Sequence, residues 1–206
     1  SVLLKLLLMQ ALHKGAEVYI TDFKGGVDFP KVWHEKCRMC FTEENLRYTL
    51  NQLVAVLEYR KSAFKALGCP NIDAYNETME QPLPRLIFAC DEVAEMLDKK
   101  KLLAQIESRL STIARQGRAF GIHLILATQR PDATIIPGQI RNNMDFRVCG
   151  RADSVLSQII LDNTSAAEQI PKDARGRFIT GDGTVFQGYL FDENAMFEDE
   201  GKGILP

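Results

Sequence analysis

Residues 86–92 read LIFACDE, a run of five apolar residues followed by two acids. An uninterrupted apolar run of this length is typical of a strand that is buried on both faces of a parallel sheet. Ligands of such sheets bind beyond the carboxyl ends of the strands. Asp91 and Glu92 are therefore expected at a functional site.

Two other segments repeat this pattern. Residues 17–22 (EVYITD) and residues 123–127 (HLILA) each predict a buried strand, and polar residues follow or end each of them. Because helical patterns separate the strands, we expect an α/β fold with a mostly parallel sheet and helices on both faces. Residues 22–24 and 128–129 would then lie beside residues 91–92 at one edge of the sheet.

The helical patterns between the strands differ in clarity. Residues 2–12 are apolar on most sides and predict a helix that is buried on much of its surface. Thr42 is a plausible N-cap for a helix that ends near Leu67, before Gly68. Its expected buried face carries Leu46, Leu50, Leu53, Leu57 and Phe64. Residues 93–120 predict one or two helices with a break near residues 99–101.

The C-terminal part has a different pattern. Residues 146–149, 176–180 and 184–190 predict strands, and residues 155–161 predict a short helix. Gly181-Asp182-Gly183 would join the last two strands into a hairpin. We expect one domain over residues 1–192 and a loose acidic tail over residues 193–206.

The composition is that of an ordinary soluble domain. The chain has 206 residues, 46% hydrophobic and 25% charged, with a net charge of −2. This total does not indicate a nucleic-acid partner, although a local basic rim would still allow one. The apolar N-terminal run is too short to cross a bilayer and contains Lys5 and Gln10. Five cysteines without a secretion signal favour a reduced, intracellular compartment.

An apolar strand that ends in Asp-Glu is the Walker B pattern of ATPases. Asp91 would hold Mg²⁺ through its water shell, because this ion keeps several waters and uses few carboxylates. Glu92 would polarise the water that attacks the γ-phosphate, and the Gln129 amide could bind both groups. The alternative is that both acids only end the strand and favour the N-terminus of the following helix.

Two further groups of residues have a structural and a functional interpretation. Lys99, Lys100 and Lys101, with Arg115 and Arg118, could contact a phosphate backbone or form solvated surface. His34, Cys37 and Cys40 have the spacing of metal ligands. A structural zinc site needs four ligands and no second pair lies nearby, so buried thiols are the preferred interpretation.

Residues 114–131 read ARQGRAFGIHLILATQRP. This stretch resembles the signature AR-(x)-AGIHL-(x)-LATQRP of the FtsK/SpoIIIE family of DNA translocases. Residues 161–168 resemble the family element LDQ-x-GAE, and Asp22-Phe23-Lys24 resembles its D-P-K. The resemblance extends from Ser1 to about Ile170.

The resemblance implies a RecA-like P-loop ATPase that uses ATP and Mg²⁺. Family members assemble as rings, usually hexamers, around double-stranded DNA, which they bind without sequence specificity. The motor domain would lie in the bacterial cytoplasm at the membrane face, with membrane contact only through segments outside this chain. Members also include conjugative coupling proteins and type VII secretion ATPases, so a protein-translocating ATPase is the alternative. A degenerate module without turnover is a third possibility.

The same resemblance assigns roles to individual residues. Arg147 aligns with a family arginine and is the candidate arginine finger, with Arg141 and Arg151 as weaker candidates. Lys99, Lys100 and Lys101 follow the Walker B helix where the family places a pore loop that faces DNA.

The chain departs from the family pattern at both ends. The phosphate-binding motif G-x-x-x-x-G-K-[ST] does not occur in it, and Ser1 would be the hydroxyl residue and Mg²⁺ ligand that ends this motif. We therefore expect a piece truncated after Walker A that alone binds ATP poorly. Residues 175–192 do not match the GMGDML of chromosome translocases, which favours a mobile-element or conjugation relative.

Overall fold

The computed structural model describes residues 2–97, 103–129, 136–190 and 192–193. Ser1, Lys99, Lys100 and Lys101 lie outside the described residues, so the predictions made for them stay predictions. Within the described ranges, no helix combines the length and the hydropathy that a bilayer span requires.

Four parallel strands form the main sheet, and three of them are the strands that the apolar runs predict. They are β1 (Glu17–Thr21), β2 (Arg38–Cys40), β3 (Leu86–Cys90) and β4 (Ile122–Leu126). Their order across the sheet is β2-β1-β3-β4, and every neighbouring pair is parallel. Thr21, Cys90 and Leu126 lie level with one another in the register. The polar residues that follow these three strands therefore meet at one edge.

Helices cover both faces of this sheet. They are α1 (Val2–His13), α2 (Lys31–Lys36), α3 (Glu43–Leu67), α4 (Ile72–Thr78), α5 (Val93–Leu97) and α6 (Leu103–Gln116), with a 3₁₀ turn at Arg118–Phe120. On one face, Tyr19 and Phe88 pack in a core with α3 and α6. On the other face, Val18 and Ile20 pack in a core with α1 and α2. Alternate strand residues thus point into different cores, as pleating requires.

The longest helix, α3, forms as predicted. The Asn45 amide donates to the Thr42 hydroxyl at its start, and Gly68 ends it in the left-handed region with φ 67°. Its expected buried residues are all 1% exposed or less, and they are Leu46, Leu50, Leu53, Leu57 and Phe64. Local capping and apolar spacing both specify this helix.

The buried face of α1 differs from the expectation. Leu4, Leu8 and Met9 are buried with Lys5, whereas Val2 is 53% exposed. A helix that is apolar on most sides has no unique face in its sequence, so the packing of the sheet decides which side is covered.

The C-terminal part forms a second, antiparallel sheet. Its elements are α7 (Gly138–Arg141), β5 (Val148–Cys149), α8 (Ser154–Leu161), α9 (Ser165–Gln169), β6 (Arg177–Thr180) and β7 (Val185–Gln187). The predicted hairpin is confirmed as β6-β7, and β5 pairs with β6. Cys149, Leu161 and Ile179 belong to a small core of its own.

The C-terminal end of the described chain contacts the α1 side of the molecule. The Glu193 carboxylate accepts hydrogen bonds from Lys5 Nζ at 2.6 Å and from Trp33 Nε1 at 2.8 Å. Residues 194–206 lie outside the described residues. The domain boundary at residue 192 therefore stays a prediction.

Two contacts fix the starts of β3 and β4. The buried Arg60 guanidinium donates to Pro84 O and to Phe120 O, each at 2.7 Å. Gly117, at the turn from α6 toward β4, has ordinary helical dihedral angles. A Cβ at this position would lie 2.4 Å from Ile122 O and 2.7 Å from Ile113 O. The close approach of the backbone therefore explains the glycine.

Replacing Gly117 with alanine should destabilise the chain by about 1–3 kcal/mol, because the carbonyls of α6 and β4 would have to move apart. Gly138→Ala is the matched control, since a Cβ at Gly138 meets nothing within 4 Å. We expect its free energy of unfolding to stay within about 0.5 kcal/mol of the wild type. Urea denaturation measures both, and equal midpoints for the two variants would contradict the packing described.

Candidate active site at the carboxyl edge of the parallel sheet

A small cleft opens where β1 and β3 end. Most of its lining residues are acidic, and the lining consists of Thr21, Asp22, Phe23, Lys24, Asp28, Asp91, Glu92 and Glu95. We call it the acidic cleft. Two of the three polar groups that the sequence places at this edge, residues 22–24 and residues 91–92, thus share one site.

Asp22 and Asp91 lie side by side in the acidic cleft. Each follows directly on the paired residues Thr21 and Cys90, in strands about 4.8 Å apart. Each is 5% exposed. Both side chains line one small cleft and are largely removed from water, so a cation bound there would offset their like charges.

Glu92 is held rigidly by three donors. Its Oε1 accepts hydrogen bonds from Thr128 Oγ1 at 2.7 Å and from the Ala94 amide at 3.3 Å. Its Oε2 accepts from the Gln129 amide at 3.0 Å. An ionised carboxylate offers about four acceptor positions, so roughly one is left for a water. Glu92 can therefore orient a water from a fixed position.

Glu92 also has the structural role that was the alternative interpretation of its position. Its carboxylate binds the Ala94 amide in the first turn of α5, which is the helix-capping role that the sequence left open. Capping and water activation use different acceptor positions of the same carboxylate. The contact with α5 therefore does not exclude a catalytic role, and it fixes the rotamer.

The role of Thr128 is one that the sequence did not predict. The sequence predicts a role for Gln129 beyond the end of β4, and the structure leaves its side chain exposed. Contact with Glu92 comes instead from the Thr128 hydroxyl and from the backbone of Gln129. The signal in the sequence for this role is the threonine of the stretch LATQ. Its hydroxyl follows the strand next to the two acids, where it can donate to one of them.

Lys24 is the only cation among the described residues that line the acidic cleft. Its Nζ lies 3.1 Å from Asp28 Oδ2, and this hydrogen bond raises the pKa of Lys24. The lysine therefore stays charged at neutral pH and is engaged with Asp28 rather than with Asp22.

Arg147 lies outside the acidic cleft, immediately before β5. Its guanidinium donates to the Asp162 carboxylate at 2.5 Å and to the backbone oxygens of Met144 and Arg141. Arg151, by contrast, is exposed. The arginine-finger role stays a prediction, and Arg147 would have to exchange Asp162 for another partner to fulfil it.

The His34, Cys37 and Cys40 group has partners of its own. His34 Nε2 lies 2.9 Å from Phe29 O, and Cys40 Sγ lies 3.2 Å from Thr49 Oγ1. Cys37 is buried. Within the described part of the chain, no three His, Cys, Asp or Glu residues are grouped closely enough to hold a metal ion directly.

Mg²⁺ does not require such a group. The ion keeps most of its water shell and is commonly bound by one or two carboxylates plus phosphate oxygens. Asp91 and Asp22 both line the acidic cleft and supply two carboxylates. The donor set of this edge therefore fits a hydrated magnesium ion.

Residues 7–133 match the model of the FtsK/SpoIIIE family. The chain belongs to the FtsK/SpoIIIE family. The match begins inside α1 and ends just beyond the turn that carries Thr128 and Gln129, so it includes every residue of the acidic cleft. The strongest sequence resemblance and the site geometry thus coincide.

The DNA translocase FtsK of Halalkalibacterium halodurans is similar to this member of the family. It is 35% identical over 132 residues, which cover 59% of this chain and 16% of that protein. The FtsK of Treponema pallidum is 32% identical over 124 residues. The chain thus spans about a sixth of the length of these curated relatives.

Among solved structures, the pCW3 conjugation coupling protein TcpA, in monomer form with ATPγS, is similar to this chain, and the match covers 95% of this chain. The TM-score is 0.89 and the identity 36%, and the match covers 58% of the TcpA chain. EssC (ATPases 2 and 3) of Geobacillus thermodenitrificans has a TM-score of 0.67 at 19% identity, which shows the fold alone. The expected P-loop ATPase fold is confirmed.

The five cysteines should differ in reactivity. Burial raises the pKa of Cys37 to about 12 and of Cys149 to about 11, and it also raises the pKa of Cys40 and Cys90. A raised pKa leaves less thiolate at pH 7, and the thiolate is the reactive form. We expect only Cys69, which is half-exposed, to react rapidly with DTNB in the native chain.

Cys69→Ser should remove this fast phase, whereas Cys149→Ser should leave it unchanged. A second rapidly reacting thiol in the native chain would contradict the burial of the other four.

Proposed function

We propose that the complete protein is an ATP-driven DNA translocase and that this chain carries the hydrolysis half of its ATPase site. The observation that carries the proposal is the Glu92 carboxylate, held by Thr128 and Gln129 beside Asp91. Membership of the FtsK/SpoIIIE family supports it, as does the similarity to a coupling protein solved with ATPγS.

In this mechanism the chain orients water and phosphate. Mg²⁺, when bound, would neutralise the phosphate charge, with Asp91 holding its water shell. Glu92 orients the attacking water with its remaining acceptor position and accepts a proton as the water oxygen bonds to the γ-phosphorus. The bond to the bridging oxygen breaks and ADP leaves. The exposed Gln129 amide donates to the γ-phosphate, where negative charge develops.

The phosphate cradle would come from residues outside this sequence. The motif G-x-x-x-x-G-K-[ST] does not occur in the 206 residues, and β4 forms one edge of the described sheet. We expect the complete protein to add a strand and a phosphate-binding loop there, with Ser1 as its hydroxyl residue. Nucleotide affinity of this chain alone should therefore be poor.

The partners proposed for the complete protein are further copies of itself and double-stranded DNA. A ring, usually a hexamer in the family, would place Arg147 against the nucleotide of the neighbour after release from Asp162. Lys99, Lys100 and Lys101 would contact DNA phosphates, so binding should be non-specific and salt-dependent. The motor would work at the cytoplasmic face of the cell membrane, anchored through other segments.

The alternative function is a protein-translocating ATPase of a type VII-like secretion system. Solved secretion ATPases share the fold at 19% and 21% identity, whereas TcpA shares it at 36%. The greater similarity to a conjugation coupling protein therefore favours DNA as the substrate.

Glu92→Gln in the complete protein should lower DNA-stimulated ATP hydrolysis by about 100-fold or more, because the amide cannot accept the proton of the attacking water. Glu95→Gln, in the same cleft but without a proposed proton-transfer role, should retain activity within about twofold. Phosphate release with and without DNA measures both. Stimulation by a signal peptide and not by DNA would support the secretion alternative.

Thr128→Val should lower kcat by roughly tenfold with little change in KM, because Glu92 loses a hydrogen bond that fixes its position. The half-buried Thr112, whose hydroxyl donates to Ser108 O within α6, offers the matched control Thr112→Val. Steady-state kinetics of the complete protein separate the two constants. An unchanged kcat would show that Thr128 does not position the carboxylate.

A further inference from the structure

The carboxylate of Glu193 connects the C-terminal end of the described chain to two helices that lie far from it in sequence. Its Oε1 accepts a hydrogen bond from Lys5 Nζ in α1 at 2.6 Å, and its Oε2 accepts one from Trp33 Nε1 in α2 at 2.8 Å. A carboxylate with both oxygens bound by fixed donors holds the segment that carries it in one place. We call this contact the Glu193 clasp.

Lys5 is an unusual member of the buried face of α1. Its neighbours on that face are apolar, and its own side chain is only 11% exposed. The ammonium lies 5.4 Å from the centroid of the Phe29 ring and forms an ion pair with Glu193. An ammonium so far removed from water is costly unless an acid is paired with it. The clasp therefore supplies the negative charge that α1 needs at this position.

The clasp also rests on the ring that anchors one wall of the acidic cleft. We call residues 22–30, between β1 and α2, the cleft loop. Trp33 and Phe29 are fully buried, and their ring centroids lie 5.6 Å apart in an edge-to-face contact. Within the described ranges, one backbone hydrogen bond lies inside the cleft loop, from the Phe29 amide to Gly26 O at 3.3 Å. The conformation of the loop therefore depends on the burial of Phe29 against Trp33 and Lys5.

The cleft loop carries charged groups of the acidic cleft. Asp28 directly precedes Phe29, and its carboxylate accepts a hydrogen bond from Lys24 Nζ at 3.1 Å. Both side chains line the cleft. A change in the position of Phe29 would therefore displace this ion pair.

We propose that the Glu193 clasp holds the C-terminal segment as an intramolecular strap, and that release of the strap loosens the cleft loop. The strap binds in a receptor for a carboxylate, which consists of the Lys5 ammonium and the Trp33 indole N–H beside the Phe29 ring. The occupant of this receptor is the chain's own C-terminal segment. The inference goes beyond the proposed function, because it concerns the α1 side of the molecule and does not depend on ATP hydrolysis.

Hydrogen–deuterium exchange of the complete protein, measured on peptides that cover residues 22–36, tests this coupling. Glu193→Gln should raise exchange there about tenfold or more, because Lys5 loses the charge that neutralises it. Peptides from α3 should exchange as in the wild type, which shows that the variant is folded. The matched control is Glu35→Gln, which breaks the exposed ion pair of Lys31 and Glu35 on α2 and should change exchange by about twofold at most.

A double variant separates the clasp from a general loss of packing. Lys5→Met keeps an unbranched side chain against Phe29 and removes the charge that Glu193 neutralises. When Lys5→Met and Glu193→Gln are combined, no buried charge is left unpaired, and the Gln carbonyl can still accept from Trp33. Residues 22–36 should therefore exchange more slowly in the double variant than in Glu193→Gln alone.

The inference is overturned if Glu193→Gln leaves the exchange of residues 22–36 unchanged, or if Glu35→Gln raises it equally. It is also overturned if the double variant exchanges as fast as Glu193→Gln, or if the rise extends equally over α3, because the effect would then be global unfolding. None of these results decides the proposed function, which depends on ATP hydrolysis that requires Glu92.

Discussion

The level, parallel pairing of β1, β3 and β4 is the constraint on which the site depends. Thr21, Cys90 and Leu126 share one register level, so the residues that follow them leave the sheet at the same edge. A shift of one residue in either pair would turn Asp22 or Asp91 toward the other face. The two cores on opposite faces of the sheet resist such a shift because their apolar residues alternate along each strand.

The backbone turns beyond the strands complete the site. Ala127 N donates to Cys90 O, and Val93 N donates to Ala127 O, so β3 and β4 remain connected past their regular ends. This brings Thr128 and Gln129 within hydrogen-bond distance of Glu92. A carboxylate fixed by three donors needs little reorganisation when charge develops nearby, which is the property that a hydrolytic site uses.

Elements with strong local signals could be predicted from the sequence, whereas side-chain partners could not. β1, β3 and β4 follow from apolar runs, and α3 follows from its apolar spacing with Thr42 and Gly68. Asp91 and Glu92 follow from their position after β3. The buried side of α1 depends on tertiary packing. The contact of Thr128 with Glu92, the Glu193 clasp and the pairing of Arg147 with Asp162 arise only when distant segments meet.

The most direct test of the ATPase site is a crystal structure of the complete protein with ATPγS and Mn²⁺, in which anomalous scattering locates the metal. We expect one anomalous peak per subunit, from a metal ion whose bound water donates a hydrogen bond to the Asp91 carboxylate. The γ-phosphate should face Glu92 and Gln129. A nucleotide bound away from the acidic cleft, or a metal that neither contacts Asp91 nor shares a bound water with it, would contradict the assignment of this edge as the hydrolysis site.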